Sequence, residues 1–505
     1  VSTGIADNPR PQVNPRPRGL QWHNATGLRR RNHGAIIGAL GGQASFPGAA
    51  EMSDFVEKKE DLIRYFESGA KPRTEWRIGS EYEKIAVSAD DGTALPFSGP
   101  RGVEQILKYL ADRYGYEPDT EEGRVLTLKA DRASITIEPG GQIELSGEQC
   151  ETIHCAQHEF SLHVEQLMNA CRRFGATILG LGMQPISRID EIELLPKARY
   201  RIMYPYMARK GSLGQWMMKL TAGVQANLDY GSETDAMRKL RVSMGLVPLI
   251  YALFANSPLS GGGLNGYQSF RGHIWTDTDP DRSGILEFAL RENASFEDYA
   301  EYALDVPMYF LIRDHHYVDL TRPPGITFRQ YLERGWEKER ATLEDWGNHL
   351  TTIFTEVRLK KYIEIRTADS QPPGLMLALP ALLKGILYDD DCLEAAWDLV
   401  KRWTFAEHLR LSDQAQKIGL EARAGKVSFR DLGSELLKIA ATGLERARQL
   451  NRRGDDESIY LRRMMDMVRQ GVTQASLTIE RWKGPWNYDV KRMIEGCSYE
   501  AEATL

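Results

Sequence analysis

The stretch RIGSEYEK, residues 77–84, decides how the rest of the chain is read. As a strand it turns successive side chains to opposite faces, so Glu81 and Glu83 point the same way. Two carboxylates about 7 Å apart on one sheet face repel each other unless a positive group offsets them. Alone, such a pair describes a solvated edge strand with two surface glutamates. Here the pair has company.

RVLTLKADRASITIEPGGQIELSG, residues 124–147, reads as a three-strand meander with turns at Asp131-Arg132 and Pro139-Gly140-Gly141. Ile135 and Ile137 oppose Ser134, Thr136 and Glu138, and Ile143 and Leu145 oppose Gln142, Glu144 and Ser146. VQANLDY (224–230) sets Val224, Ala226 and Leu228 against Gln225, Asn227 and Asp229. In YIEIR (362–366), Glu364 and Arg366 share one face and Ile363 and Ile365 the other. An antiparallel sheet with one wet face explains this alternation, but not the choice of acids, which destabilise one another when clustered. With Glu81, Glu83, Glu138, Glu144 and Glu364 on one concave face, hard cations are needed to offset the repulsion. Oxygen donors of this kind suit Mg²⁺ or Mn²⁺, and carboxylate-held magnesium is the usual platform for nucleotide phosphates.

RIGSEYEK, ITIEPGGQIELSG, LPKARYRIMYPYM, VQANLDYGSE, LFANSP, RGHIWTDTDPDR, YALDVPMYF, FRQYL, HLTTIFTEVRLKKYIEIR and LALPALLKGILYDDD follow in that order. Together they closely resemble the plant-type glutamate–cysteine ligases, from about residue 53 to the C-terminus. The resemblance implies an α+β fold: a curved antiparallel sheet forming a cup, helices packed outside, a core shared with glutamine synthetase and guanidino kinases. It implies ATP-dependent joining of the γ-carboxylate of glutamate to the amine of cysteine through a γ-glutamyl phosphate, the first step of glutathione synthesis. The alternative is a ligase of the same fold using a different amine. The implied metal ligands are Glu81, Glu83, Glu138, Glu144 and Glu364, with Gln225 where some relatives carry a histidine. Arg271, Arg358 and Arg366 are the implied substrate-binding side chains, Arg271 on the glutamate side and Arg366 near the transferred phosphate. Glu83 and Arg366 are the implied catalytic residues. RTADSQPPGL (366–375) departs from the RGADGGPWRR usual in the plant enzymes, on the amine side of the pocket. One regulatory disulfide of those enzymes is not carried over, because its cysteines fall at Gln157 and Leu377.

With 42% hydrophobic residues and a formal charge of −6, the chain lacks the basic footprint of a nucleic-acid binder. Its longest apolar runs, LVPLIYALFA (246–255) and LMLALPALL (375–383), are too short for a membrane span and read as buried helices. No phosphate-binding GK[ST] loop or strand-linked G-x-G-x-x-G occurs, so ATP needs another platform. The expected partners are therefore small molecules, with the chain cytoplasmic and a monomer or homodimer.

Residues 1–51 are rich in Pro, Gly and Arg and poor in acids, and read as a disordered extension. Their composition approaches a transit peptide, but Ser is scarce and no amphipathic helix is evident. The expectation is that Met52 is the natural start, with residues 52–505 forming the catalytic domain and 390–505 its helical C-terminal part. SDFVEKKEDLIRYFESG (53–69) reads as a helix capped by Ser53, with Phe55, Leu62, Ile63 and Phe66 as its apolar stripe. Cys150, His154, Cys155 and His158 tempt a zinc reading, but a second ligand pair from another element is missing. The expectation there is a helix N-terminus packed on the sheet. Asp277, Asp279 and Asp281 have calcium-loop spacing, yet Arg282 stands at the required glycine and Phe288 at the closing glutamate, so a capped turn is expected.

Overall fold

The RIGSEYEK stretch opens an eleven-residue strand, β1 (Ile78–Ser88), in a computed structural model that describes residues 55–502. The expected extension 1–51, the start at Met52 and the cap at Ser53 lie outside the described residues, which belong to one compact unit. Before β1 comes helix α1 (Lys59–Glu67), shorter than the sequence pattern suggests. Asp61 accepts hydrogen bonds from the amides of Glu57 and Lys58, which fixes the helix start at that point. Phe55 is therefore outside the helix and 45% exposed, not part of its stripe.

After α2 (Val103–Tyr114) come β2 (Glu117–Glu121), β3 (Arg124–Lys129), β4 (Ser134–Ile137) and β5 (Ile143–Ser146). The last three are the expected meander; β2 adds an edge strand that charge and Pro118 disguise in the sequence. Helix α3 (Ile153–Arg173), β6 (Ala176–Leu179), β7 (Gly223–Leu228) and helix α4 (Glu233–Leu253) follow. The sheet is completed by β8 (Val357–Leu359) and β9 (Ile363–Asp369), and helix α5 (Ala378–Leu387) comes next.

These nine strands form one sheet in the order β8-β9-β7-β1-β5-β4-β3-β2, with β6 also paired to β1. Every pairing within it is antiparallel. The architecture is mixed helix and sheet. β1 is the hub: Ile78–Tyr82 pair with β7, Glu81–Lys84 with β5 and Ile85–Ser88 with β6.

The two faces of β1 differ as the alternation requires. Ser80, Tyr82 and Lys84 are buried while Glu81 and Glu83 are half-buried. On the buried side Tyr82 packs against Phe160 of α3, ring centroids 4.8 Å apart. Lys84 is fully enclosed there, donating to the Tyr82 carbonyl, and burial pushes its ammonium down to about 7. Helices α4 and α5 pack on β9 and β7, and both expected buried apolar runs lie in or beside them. Pro248 is accommodated inside α4. The expected capped turn at 277–284 forms around Asp279, whose carboxylate takes the Asp281 amide and pairs with the fully buried Arg282 at 2.6 Å. From Asp390 onward the described chain is helical apart from one short hairpin, Arg423–Ala424 with Val427–Ser428. No helix among the described residues is long and apolar enough to cross a membrane.

Candidate active site

Register places the acids. Glu81 lies opposite Gln225 on β7 and Ser146 on β5; Glu83 lies opposite Glu144 on β5. Glu364 on β9 lies opposite Asn227 on β7 and Arg358 on β8. Directly paired residues share a face, so Arg358, Glu364, Asn227, Gln225, Glu81, Glu83, Glu144 and Ser146 line one side of the sheet. Glu138 stands just past β4, at the turn into β5, and its charge acts on both Glu83 and Glu144.

The acids fall into two electrostatic groups. Burial and the neighbouring charges of Glu138, Glu81 and Glu83 raise Glu144 well above the usual carboxylate range; its one hydroxyl donor is Ser146 at 2.6 Å. Burial, with Glu138 adding to it, pushes Glu83 up to about 7, although Arg271 and Arg366 pull the other way. Burial and Glu364 raise Glu81, against Lys360 and an amide hydrogen bond from Asn227 at 2.9 Å. These three carboxylates are crowded and short of positive charge. Glu364 is the reverse. Burial disfavours its ionised form, but Arg358, Lys360 and Arg366 hold it well below the usual range. Arg358 grips both its oxygens at 2.5 and 3.1 Å, Lys360 lies at 2.8 Å and Arg366 at 2.5 Å.

The expected convergence of all five glutamates is therefore partial. They share a face, but no three of their carboxylates bring oxygens within 4.8 Å of one another. Same-face neighbours along a strand are about 7 Å apart, and three cations draw Glu364 aside. The donor set still fits a hard divalent ion: it is all oxygen, and three raised carboxylates lack a full complement of cations. Spacing of this kind suits an ion held by one or two carboxylates that keeps several waters.

The remaining expected residues have specific partners. Gln225 donates to Glu83 at 3.2 Å and accepts from Arg366, bridging an acid and a base. Arg366 touches both Glu364 and Gln225, and its Nε lacks a partner. Arg271, 2% exposed, sits in the short helix Phe270–Thr276. It directs its terminal nitrogens to the carbonyls of Thr367 (3.0 Å) and Arg366 (2.9 Å). Its guanidinium passes so close to Gly223 that a Cβ there would lie 2.5 Å from Nη2. The Gly223 amide meanwhile donates to Glu83. Arg358 is fully engaged by Glu364 and the carbonyls of Thr351 and Ile353. In this arrangement Arg358 is taken up in bracing the strands, while Arg271 and Arg366 each keep an Nε without a partner.

Sequence reading passed over Asn227, Lys360, Lys197 and Tyr200. Asn227 was visible in the polar register of VQANLDY. Lys360 precedes Glu364 by four residues, but its pairing depends on the turn between β8 and β9. Lys197 donates to the Ile137 carbonyl at 2.9 Å and Tyr200 lies 3.5 Å from Glu138, contacts that join distant segments.

Against this geometry, the family model of the glutamate-cysteine ligase family 2 matches residues 77–496. The chain belongs to that family. A glutamate–cysteine ligase of Brassica juncea is 42% identical over 444 residues, covering 87% of this chain and 84% of its own. Glutamate–cysteine ligase A of Oryza sativa subsp. japonica is 40% identical over 487 residues, covering 94% and 96%. A solved glutamate–cysteine ligase of Francisella tularensis in complex with AMP is similar at 13% identity and a TM-score of 0.49, covering 83% of this chain and 87% of that one. Both plant family members are chloroplastic. That overturns the expectation of a cytoplasmic protein.

Proposed function

We propose that this glutamate-cysteine ligase family 2 chain joins the γ-carboxylate of L-glutamate to the amine of L-cysteine at the expense of ATP. The observation that carries the reading is the row of acids on β1, β5 and β9 within the family match. A free carboxylate is a poor acylating agent, so it must first be activated. A γ-carboxylate oxygen of glutamate attacks the γ-phosphorus of ATP, the bond to the β,γ-bridging oxygen breaks, and ADP leaves. The cysteine amine then attacks the γ-glutamyl phosphate carbonyl, phosphate departs, and the amine proton is lost to form the amide.

The polar side of the sheet is the wall of a curved cup, with residues 52–505 as one catalytic domain. Glu81, Glu83, Glu138 and Glu144 would hold divalent ions of the Mg²⁺ or Mn²⁺ class, with Gln225 beside them and Glu364 at the margin. Such ions, when bound, neutralise phosphate charge and orient the triphosphate. Arg366 faces the transferred phosphoryl group, where a guanidinium offsets charge on the equatorial oxygens. Gln225 positions Arg366 relative to Glu83. Arg271, on the glutamate side, clamps the carbonyls of 366 and 367 and so fixes the strand that presents Arg366 to the phosphate; Arg358 acts on substrate through Glu364.

A coupled ADP-release assay with glutamate fixed and the amine varied tests the reading. Turnover is expected with cysteine above other amines, and its loss on Glu83→Gln. Preference for another amine would transfer the chain to a different thiol pathway. Unchanged turnover in Glu83→Gln would remove the acid row from the chemistry.

A further inference from the structure

We propose that Glu148, Cys150 and Cys155, with both cysteines reduced, form a binding site for a zinc-class divalent cation. Among the described residues this is the one group of three His, Cys, Asp or Glu side chains whose ligand atoms all lie within 4.8 Å of one another. Two thiolates and one carboxylate select zinc over magnesium, and water completes a tetrahedral set. The objection to zinc was a missing second ligand pair from another element; Glu148 and Cys150, both ahead of α3, form a pair that meets Cys155 within the helix. His154 does not take part: its ring nitrogens face the Tyr460 hydroxyl at 2.8 Å and the Gln449 carbonyl at 3.1 Å.

In the structure the two cysteines are joined as a disulfide. Glu148 Oε1 nevertheless lies 3.2 Å from Cys155 Sγ and 3.9 Å from Cys150 Sγ. A disulfide sulfur has no proton to donate, so this oxygen faces sulfur lone pairs. Its pairing cation, Arg132, is 3.8 Å away and 81% exposed, too screened to draw the carboxylate off. The contact becomes favourable when the sulfurs carry protons or share a cation. Reduction by a thiol reductant delivers two electrons and two protons to the S–S bond, yielding two thiols and oxidised reductant. Metal binding then releases both thiol protons.

The backbone holds the three ligands in place. Cys150 exchanges both backbone hydrogen bonds with Ile78, at 2.8 and 2.9 Å, three residues before Glu81. The Glu148 amide donates to the Glu159 carboxylate, and the Cys155 amide to Thr152 Oγ1 at the start of α3. The site thus lies on the segment bridged to the first residue of β1, apart from the acid row.

The test is zinc titration of the reduced full chain against a chromophoric chelator, with excess Mg²⁺ present to fill oxygen-only sites. Cobalt substitution reports thiolate ligation through its charge-transfer absorption. Reduced wild type is expected to bind one zinc more than a C150S/C155S chain and to show the cobalt–thiolate band. The oxidised chain should lose both. Glu148→Gln keeps both sulfurs and should weaken zinc by about tenfold or more, which tests the site even where the serine chain fails to fold. Equal zinc uptake by reduced wild type and the serine variant, undiminished uptake by the oxidised chain, or unchanged affinity in Glu148→Gln would each overturn the site.

Discussion

Glu83 stands directly opposite Glu144 across β1 and β5. Like charges facing each other across a pair of strands cost stability, on the order of 0.2–1 kcal/mol. Glu144→Gln should therefore raise the unfolding free energy of the metal-free chain by about 0.5 kcal/mol. The same change should cut ADP release by about 100-fold, because a preorganised charge near the phosphates is lost. Chemical denaturation in chelator, set beside the coupled assay, checks both halves. Lower stability together with normal turnover would remove Glu144 from the chemistry.

The stabilisation that Glu83 contributes to the metal-free chain should shrink as pH rises from 4.5 to about 7. Burial and Glu138 raise the Glu83 carboxyl from 4.5 to about 7, so the folded chain holds that proton more tightly than the unfolded one. The resulting stabilisation is fully present below 4.5 and is lost as pH climbs through 7. Lys84, depressed to about 7, acts in the opposite sense only above that value, whereas the buried His349 and His408, both pushed down to about 4, oppose Glu83 within the window. Between pH 5 and pH 7 in chelator, the melting temperature of wild type should drop relative to that of Glu83→Gln. Identical changes would show that Glu83 does not govern this window.

Arg358→Met should destabilise the fold by about 3 kcal/mol, since it strips a bidentate partner from a buried carboxylate and leaves two carbonyls without their donor. Denaturant unfolding measures this directly. A loss below about 1 kcal/mol would mean that Lys360 and Arg366 suffice to hold Glu364.

Arg366→Gln should leave the melting temperature close to wild type, because Arg358 and Lys360 still neutralise Glu364. Turnover should fall by about 1,000-fold, with a smaller change in the KM for glutamate. Steady-state ADP release separates the two constants. A rise in KM at constant kcat would assign Arg366 to ground-state binding.

Much of this site was legible in the sequence because a strand repeats every two residues. Glu81, Glu83, Glu144, Gln225 and Glu364 could be placed on one face from alternation alone, and register put them there. The saturation of Glu364 was not legible. It depends on Arg358 meeting it across β8 and β9 and on Lys360 folding back over the turn. The reach of Arg271 to the carbonyls of 366 and 367 likewise joins segments nearly a hundred residues apart. The start of α1 was misread because Asp61 turns back on two amides ahead of it, and no periodicity encodes that contact. Strand β2 was missed because its EPDTE sequence lacks the apolar alternation that marked its neighbours.

The three-way pairing of β1 also limits how the gene can change. A one-codon insertion or deletion ahead of Glu81 would carry Tyr82 and Lys84 onto the polar wall and bury both glutamates among the rings of α3. Neighbouring loops can lengthen or shorten at little thermodynamic cost. This strand works as the molecule's reading frame, and drift within it should proceed by substitution alone.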